Sequence, residues 1–380
     1  MEVVTHASSK KTTGSARELE LYFGPQHVGM VGNFGIVLTV EGDTVVRARS
    51  NPGYLHRGFE KLMEYRTYIQ NFPLVCRLNV MDPDPKEMLY AMAVEELAGL
   101  DVPRRAHYIR TIILEMSRIT SHLFWLWGFG NLLGFDTIGQ WAMGDREYFL
   151  DCFEMLCGGR VYHTYIWPGG VRRDLPQGFQ EKLRFALDNL ERMLPDYDEV
   201  FFNNRLFADR TRGIAAFTRD QAVSMGLTGT NLRATGASID VRKDEPYAAY
   251  AELDFEIPTM EDGDSYSRAV VIRLEMAQSI SIIRQALGQM PDGPAWKKTP
   301  NPFKWLVQPG ETYVKIESAR GEDGMYLVSD GSDKPRRAFV RGPSYPAAIL
   351  MLERLLEGAS LSDVGHIMLS LNVAAPEVDR

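Results

Sequence analysis

Apolar residues recur at intervals of three or four in the first half of the chain, which is the spacing of one face of an α-helix. The clearest stripe begins after Pro103 and continues to about Trp127. Its members are Ile109, Ile112, Ile113, Met116, Ile119, Leu123 and Leu126. The same spacing, together with helix start and stop signals, predicts four further helices. They cover residues 59–72, 82–100, 144–165 and 176–203.

Alternating apolar and polar positions near both ends of the chain predict strands. The segment Gly35–Val46, GIVLTVEGDTVV, predicts a hairpin that turns at residues 41–43. Three later segments, ETYVKIES, GMYLVSD and RRAFVRG, predict a small sheet. Short β-like runs and turns follow Arg205, before a helix expected over about Asp264–Gln289. Two last helical segments are expected at residues 345–357 and 362–371.

Together these elements predict an α+β fold, in which small sheets from the N- and C-terminal parts flank a bundle of long helices. The sequence contains no internal repeat and no linker long enough to divide it. We expect residues 1–17 to form a flexible polar tail and residues 18–380 to form a single domain.

Charge and composition narrow the function classes. The chain has 380 residues and a formal net charge of −8, so it lacks the broad basic surface that binds nucleic acid. Its three cysteines form no CxxC pair and suit a reducing compartment. The apolar run Leu123–Phe135 is shorter than the roughly 20 residues of a membrane span, so we expect it to be buried in the protein or against another subunit. GFGNLLG at residues 128–134 lacks the preceding strand of a dinucleotide site, and phosphate-loop and zinc-helix motifs are absent.

Several longer strings are more specific than these short motifs. They are GPQH (24–27), GYLHRGFEKLMEYRTYIQN (53–71), RAHYIRTIILEMSRITSHL (105–123), GGVRRDLP (169–176), LTGTNLRATG (227–236), ESARGEDGMYLVSDGS (317–332) and VDR (378–380). In this order they resemble the D subunit of complex I-type NADH:quinone oxidoreductases, a family that includes archaeal reduced-deazaflavin dehydrogenase subunits. That family is itself similar to the large subunit of nickel–iron hydrogenases, which implies a hydrogenase-large-subunit-like fold.

The resemblance implies a catalytic-core subunit of a membrane-associated, ion-pumping respiratory dehydrogenase, inactive as an isolated chain. Such a subunit lies peripherally on the cytoplasmic face of the membrane and holds no cofactor through its own ligands. The implied partners are a B-type iron–sulfur subunit, a C-type subunit, a ferredoxin-like I-type subunit and an H-type membrane subunit. Electrons reach quinone, or a quinone-like acceptor, from the 4Fe–4S cluster of the iron–sulfur partner. Proton pumping and NAD binding are implied for the complex, while the electron donor (NADH, reduced deazaflavin or ferredoxin) and the pumped ion stay open.

Arg77 and His163 match two family residues that lie beside this cluster. A cation or a hydrogen-bond donor near an iron–sulfur cluster stabilises its reduced, more negative state and raises its potential. The alternative for Arg77 is a salt bridge within the helix bundle. The alternative for His163 is a buried histidine whose hydrogen bond serves the fold alone.

The acceptor pocket of most relatives contains a loop GPQHPSTHG, whose second histidine contacts the quinone headgroup. This chain has His27 at the first histidine and Val31 at the second. Val80 stands where the family has a tyrosine that donates a hydrogen bond to the headgroup. Since valine can neither donate a hydrogen bond nor deliver a proton, either the acceptor differs or other residues donate. We expect His27 to position the acceptor or supply its proton, the alternative being that it only fixes the turn.

Hydrogenases bind nickel and iron through two CxxC pairs, since these metals need soft thiolate ligands. The first pair corresponds to RLNVMD in this chain, which places Asn79 and Asp82 at thiolate positions, and APEVDR replaces the second pair. Cys76 is then expected to be a small buried thiol. The missing thiolates disfavour an energy-converting hydrogenase. A non-catalytic assembly scaffold is the other alternative, which Val31 and Val80 leave open.

Four further groups of residues carry polar or aromatic signals. Glu115, Arg118 and His122 are three and four residues apart, which favours an intrahelical charge network on a subunit face over a proton relay. Trp167 indicates either a remodelled pocket wall or simple packing. Two clusters are expected to form buried ion pairs: Tyr54, His56, Arg57 and Glu60, and the ESARGE residues Glu317, Arg320 and Glu322.

The first prediction concerns metal content. Because Asn79 and Asp82 occupy the thiolate positions, the chain in its native complex should bind no nickel and evolve no hydrogen. Metal analysis and a hydrogen-evolution assay on the purified complex test this. Stoichiometric nickel would contradict it.

Overall fold

The computed structural model describes residues 18–26, 33–299, 301 and 305–380. The expected tail at residues 1–17 and the candidate site residues His27 and Val31 lie outside the described residues. The strands are β1 Glu18–Phe23, β2 Gly35–Glu41, β3 Thr44–Asn51, β4 Ile166–Trp167, β5 Gly170–Val171, β6 Gly310–Glu317, β7 Glu322–Ser329 and β8 Pro335–Arg341. The α-helices are α1 Phe59–Tyr65, α2 Phe72–Val75, α3 Asp84–Ala98, α4 Arg104–Leu132, α5 Asp136–Cys157, α6 Phe179–Tyr197, α7 Arg205–Thr211, α8 Arg219–Ser224, α9 Gly229–Arg233, α10 Val241–Asp244, α11 Ser265–Gln289, α12 Leu352–Leu356, α13 Val364–Ser370 and α14 Ala375–Val378.

Helix α4 is the centre of the bundle and packs against both α5 and α11. Its predicted apolar stripe, from Ile109 to Leu126, is fully buried. The helix continues past Trp127 to Leu132, because the GFGNL segment contains no proline and the chain turns only at Gly134, where φ is 85°. The predicted long helix is therefore confirmed, with a later end.

The N-terminal sheet has the strand order β1-β2-β3, with antiparallel neighbours, and confirms the predicted hairpin. Its turn contains Gly42 at a φ of 64°, a left-handed conformation that glycine adopts without strain. The alternate residues Ile36, Leu38 and Val40 are buried, which is the pattern of a sheet with one covered face. They belong to a second hydrophobic cluster that also contains residues of α12 and α13.

The C-terminal sheet has the order β6-β7-β8 and is also antiparallel, as the sequence predicts. Its strands contact α3 and α1. Ile316, Met325 and Val340 are buried there as members of the main hydrophobic cluster. The helix bundle with a small sheet from each end confirms the α+β fold class.

The region after Arg205 differs from the predicted β-like runs. Its described residues, up to α11, contain no strand and form the short helices α7–α10. Polar side chains cap their first turns: Asn204 accepts from the backbone N–H of Leu206, and Thr218 forms a capping box with Gln221. Because Asn and Thr mark turns as well as helix starts, the local pattern does not separate the two structures.

Some predicted helices have different ends. The helix expected over residues 59–72 stops at Tyr65, where the buried Asn71 amide donates hydrogen bonds back to the preceding turn. Helix α5 begins at Asp136, earlier than predicted, and ends where Gly158 adopts a φ of 82°. None of the helices in the described part of the chain combines the length and the hydropathy that a membrane crossing needs.

Candidate functional site

A cavity of about 700 Å³ lies where the two hydrophobic clusters meet. Pockets for small molecules and cofactors measure roughly 300–1,000 Å³, so this cavity has room for a ligand of that kind. Its described wall comes from segments that are far apart in the sequence. They are residues 25, 26 and 33, residues 55 and 57, residues 79–81, several positions within 124–132, Tyr162, and residues 369 and 372–376.

Helix α4 supplies much of the apolar wall. Phe124, Trp127 and Leu132 belong to the apolar run for which burial is expected, and all three face this cavity. The indole of Trp125 is fixed by a hydrogen bond from Nε1 to the carbonyl oxygen of Leu369, at 2.8 Å. Part of the apolar run therefore lines the cavity, where Phe124, Trp127 and Leu132 stay partly exposed.

The segment after α13 forms another part of the wall, and hydrogen bonds fix its backbone. Asn372 has a φ of 52°, and its amide donates to the carbonyl oxygen of Ala319 at 3.3 Å. Further along, the carboxylate of Asp379 accepts the backbone N–H groups of Gly53 and Leu55, both at 2.8 Å. These bonds connect two distant segments that both line the cavity.

Val80 and Arg77 come from the short segment between α2 and α3. Val80 is 42% exposed and lines the cavity. The half-buried Arg77 donates from Nη1 to the carbonyl oxygen of Pro73 at 2.5 Å, and its guanidinium lies 4.7 Å from the ring centre of Tyr162. Arg57 donates to the backbone carbonyl oxygen of Arg77 at 2.9 Å. Among the described residues Arg77 has no acidic partner, so the alternative of a salt bridge is wrong there.

His163 lies in the core and is not part of the described cavity wall. Its Nδ1 is 2.9 Å from the Asp84 carboxylate, and its ring stacks on Phe153 with the centroids 3.8 Å apart. Nε2 has no hydrogen-bond partner in the described part of the chain. A hydrogen bond from the ring to the Asp84 carboxylate requires a proton on Nδ1, which leaves Nε2 of the neutral ring as an acceptor.

Tyr162 lines the cavity, although it directly precedes His163 in the sequence. The loop is held by Glu87, whose carboxylate accepts the backbone N–H groups of Thr164, Tyr165 and Ile166 at 2.6, 2.8 and 3.2 Å. Burial, reinforced by the nearby Asp84 carboxylate, raises the pKa of Glu87 well above its ordinary value. Sequence reasoning missed Tyr162, and its position beside a candidate residue is the signal that could have found it.

Asn79 and Asp82, the two residues expected at thiolate positions, are fully buried and hydrogen-bonded to each other. Asp82 also pairs with Arg320 and accepts the backbone N–H of Ala319 at 3.0 Å. Burial raises the pKa of Asp82, and the Arg320 charge opposes this effect. The described residues contain no group of three or more His, Cys, Asp or Glu side chains placed to hold a metal ion.

Cys76 is buried, as expected. Burial raises the pKa of its thiol to about 12, so the thiol stays protonated and unreactive at neutral pH. The neighbouring Arg77 donates a weak hydrogen bond to its sulfur at 3.4 Å. Cys76 is thus a packing residue beside the cavity wall.

The prediction of an intrahelical charge network on a subunit face is wrong. Glu115, Arg118 and His122 are buried in the core, because other elements cover α4. Only Glu115 and Arg118 pair within the helix, at 3.3 Å. The other partners come from distant segments: Glu275 for His122, the carbonyl oxygens of Glu317 and Ser318 for Arg118, and Arg242, Tyr250 and Ser279 for Glu115. Burial would raise the pKa of Glu115, but Arg118 and Arg242 outweigh it and lower that pKa.

The expectations for Trp167, for the ESARGE residues and for the Tyr54 cluster are confirmed only in part. Trp167 stacks on Phe72 with the ring centroids 4.9 Å apart and is absent from the described cavity wall, so its role is packing. In ESARGE, Glu317 and Arg320 do form buried ion pairs, whereas Glu322 is partly exposed and pairs with Arg341. The Tyr54 cluster is not buried: Tyr54 and Arg57 are exposed, His56 contacts the backbone of Asp379 and Arg380, and Glu60 pairs with Arg337 and Arg380 at the surface.

These helices and small flanking sheets form the fold of a complex I-type subunit, which is hydrogenase-large-subunit-like. Within that class, this chain belongs to the family of complex I-type D subunits. The family model of the respiratory-chain NADH dehydrogenase 49 kDa subunit matches residues 133–380. The chain is therefore one component of a larger, membrane-associated oxidoreductase.

Individual relatives support this assignment over nearly the whole chain. The D subunit of the NADH-quinone oxidoreductase of Thermosipho melanesiensis is 48% identical over 96% of this chain and 100% of that protein. The D subunit of the F420H2 dehydrogenase of Methanosarcina mazei is 40% identical over 96% of this chain and 98% of its own. Among solved structures, a chain of the membrane-bound sulfane sulfur reductase, an archaeal respiratory membrane complex, matches with a TM-score of 0.93 and 46% identity, covering 96% of this chain and 99% of that one.

The second prediction concerns the buried pair behind the cavity. Replacing Arg320 by Met leaves the Asp82 carboxylate buried without its cation, which should lower the free energy of unfolding by about 3–5 kcal/mol. Denaturant titration of the purified complex, followed by release of this protein, measures the change. The double variant Asp82→Asn/Arg320→Met should recover part of the loss.

The surface variant Arg337→Met is the control, because Arg337 pairs with Glu60 in contact with water and should contribute less than about 1 kcal/mol. Equal effects of Arg320→Met and Arg337→Met would contradict the assigned importance of the buried pair.

Proposed function

We propose that this chain lines the acceptor pocket of a complex I-type oxidoreductase and that the cavity holds a quinone or a quinone-like acceptor. The observation that carries the proposal is the cavity itself, which combines an apolar wall from α4 with Arg57 and Tyr162. An aromatic headgroup with an apolar substituent needs such a lining, in which a few polar groups fix its orientation. The name of the Thermosipho melanesiensis relative, which belongs to an NADH-quinone oxidoreductase, supports this acceptor class.

The electrons would come from a 4Fe–4S cluster held by a partner subunit near Arg77 and His163. Arg77 supports this placement, since its guanidinium stays unpaired with any acid among the described residues and is available to a negatively charged neighbour. His163 would lie on the core side of the cluster, since Asp84 fixes its ring, and Nε2, which has no partner within the described chain, would donate a hydrogen bond towards the cluster from the protonated ring. His27 and Val31, outside the described residues, would complete the pocket.

In this proposal the chain is surrounded by the partner subunits that the family resemblance implies. The B-type iron–sulfur subunit would cover the Arg77 side, with the C-type, I-type and H-type subunits completing a complex on the cytoplasmic face of the membrane. Proton pumping and binding of NAD or another donor would belong to those partners. This chain would contribute the reduction site.

A sulfane-sulfur acceptor is the second candidate, and Val80 is the observation that favours it. A quinone oxygen gains from a hydrogen-bond donor at this position, whereas a chain of sulfur atoms is a weak acceptor and tolerates an apolar wall. The structural relative named a sulfane sulfur reductase has 46% identity to this chain. Two electrons would then cleave an S–S bond. The bond pair and the two supplied electrons make two electron pairs, and each sulfur atom leaves with one of them.

The third prediction tests the cavity. Val80→Trp fills open space in the cavity wall with a bulky ring and should lower the rate of acceptor reduction at least about tenfold, because the acceptor loses its place near the cluster. The assay uses the purified complex with reduced methyl viologen as donor and either menadione or dimethyl trisulfide as acceptor. The acceptor class is that of the compound which the wild-type complex reduces and the Val80→Trp complex does not.

Val46→Trp is the matched control, since Val46 is 47% exposed on β3 and does not line the cavity. A wild-type rate in both variants, or no acceptor reduction by the wild-type complex, would refute the proposed function and favour a scaffold.

The fourth prediction concerns charge near the cluster. Arg77→Met removes a cation while keeping much of the side-chain volume, so the reduced cluster becomes less favourable and its potential should fall by about 60 mV, one tenfold step for a single electron. A redox titration of the assembled variant, followed by electron paramagnetic resonance, measures the shift. Arg172→Met, which removes another arginine placed over an aromatic ring, should leave the potential unchanged. An unaltered potential in Arg77→Met would place the cluster elsewhere.

A further inference from the structure

We propose that Tyr162 is the hydrogen-bond and proton donor that this cavity presents to a quinone oxygen, a role that Val80 cannot perform. The inference rests on the proposed function and names a donor residue for it. Arg57 and Tyr162 are the only titratable side chains among the described residues that line it.

These two side chains differ in whether they can release a proton to an acceptor. Arginine keeps its proton at any ordinary pH, so Arg57 can orient an acceptor by its charge but cannot protonate it. The phenol of Tyr162 both donates a hydrogen bond and can release its proton. Its hydroxyl makes no hydrogen bond with any residue that the structure describes, although it lies at a cavity wall. The other polar groups of the wall are amides and indoles, which donate hydrogen bonds but do not release protons.

Three of the amide and indole donors of the described wall are already committed to hydrogen bonds. The Asn79 amide donates to Asp82, and its oxygen accepts the N–H of Met81. Asn372 donates to a backbone carbonyl, and so does Trp125. Of the two titratable groups in the described wall, Tyr162 is therefore the one whose proton an acceptor can take without breaking an existing hydrogen bond.

Two cations support the proposed step. The Arg77 guanidinium lies 4.7 Å from the ring centre of Tyr162, and Arg57 bridges to the Arg77 backbone. Partial desolvation lowers the pKa of Arg57, and its interaction with Tyr162 opposes this change, so the two groups lie close enough to interact electrostatically. Both cations therefore lie near the Tyr162 ring.

The step balances as follows. The O–H bond of Tyr162 breaks and an O–H bond forms on one quinone oxygen, while the iron–sulfur cluster of the partner subunit is the reductant. Water returns a proton to the phenolate. Reduction to the quinol takes two electrons and two protons, so the other quinone oxygen receives its proton from a second source.

Tyr162→Phe tests the proposal in the purified complex, because it removes the hydroxyl and keeps the ring beneath Arg77. With reduced methyl viologen and menadione, kcat should fall by about 10²-fold, with a smaller change in KM. The cluster potential should stay at the wild-type value, since the Arg77 contact remains. Tyr65→Phe is the matched control: Tyr65 is 66% exposed and also has a cation, Lys61, over its ring, at 5.5 Å.

Tyr162→His supplies a different titratable donor and should restore part of the rate, with a pH profile moved towards the range of an imidazole. If the complex with Tyr162→Phe does not assemble, Tyr162→His alone tests the proposal. A wild-type kcat in Tyr162→Phe, or a wild-type pH profile in Tyr162→His, overturns the inference. If menadione reduction is blocked by Val80→Trp yet unaffected by Tyr162→Phe, only the donor assignment fails. If the wild-type complex reduces no quinone, the proposed quinone site and the donor assignment both fail.

Discussion

Buried ion pairs around Arg233 determine how the centre of this molecule is arranged. Arg233 binds Glu275 of α11 at 2.5 Å and Glu317 of β6 at 2.7 Å, while Arg242 reaches Glu115 of α4 at 3.1 Å. A charge removed from water costs several kcal/mol unless an opposite charge and further hydrogen bonds surround it. The two long helices, the segment between them and the C-terminal sheet therefore cannot slide past one another without stranding a charge. Apolar packing alone would allow more freedom.

The same network fixes the cavity indirectly. Arg118 holds the turn after β6 through two backbone carbonyl oxygens, one of them that of Ser318, each at 2.7 Å. That turn carries Arg320 to Asp82, and Asp82 binds the amide of Asn79 in the cavity wall. Asn79 and the Asp82–Arg320 pair thus connect this part of the cavity wall to the polar core.

The long helices and both sheets could be predicted because their apolar period lies within each segment. The burial of Glu115, Arg118 and His122 could not be predicted, because polar residues at helical spacing usually face water. Only the elements that cover α4 in the folded protein show that these three residues are buried. The resemblance supplied Arg77 and Val80 as candidates. Tyr162 was not predicted, because its place in the cavity depends on Glu87. The Glu87 carboxylate binds the loop next to Tyr162 at Thr164, 77 residues later in the sequence. Contacts between distant residues leave no periodic trace in a sequence.

The N-terminal sheet has a consequence for biogenesis. Its inner face packs with α12 and α13, and the Ser50 backbone bonds to Glu353, 303 positions later. Ribosomes add about 5–20 residues per second, so a finished hairpin waits on the order of 15–60 s for the helices that cover it. Throughout that interval an apolar face and open strand edges stay in contact with water, a state in which strands associate with other chains. Protection of this hairpin during translation, by a chaperone or by an assembly factor, would shape the yield of intact complex.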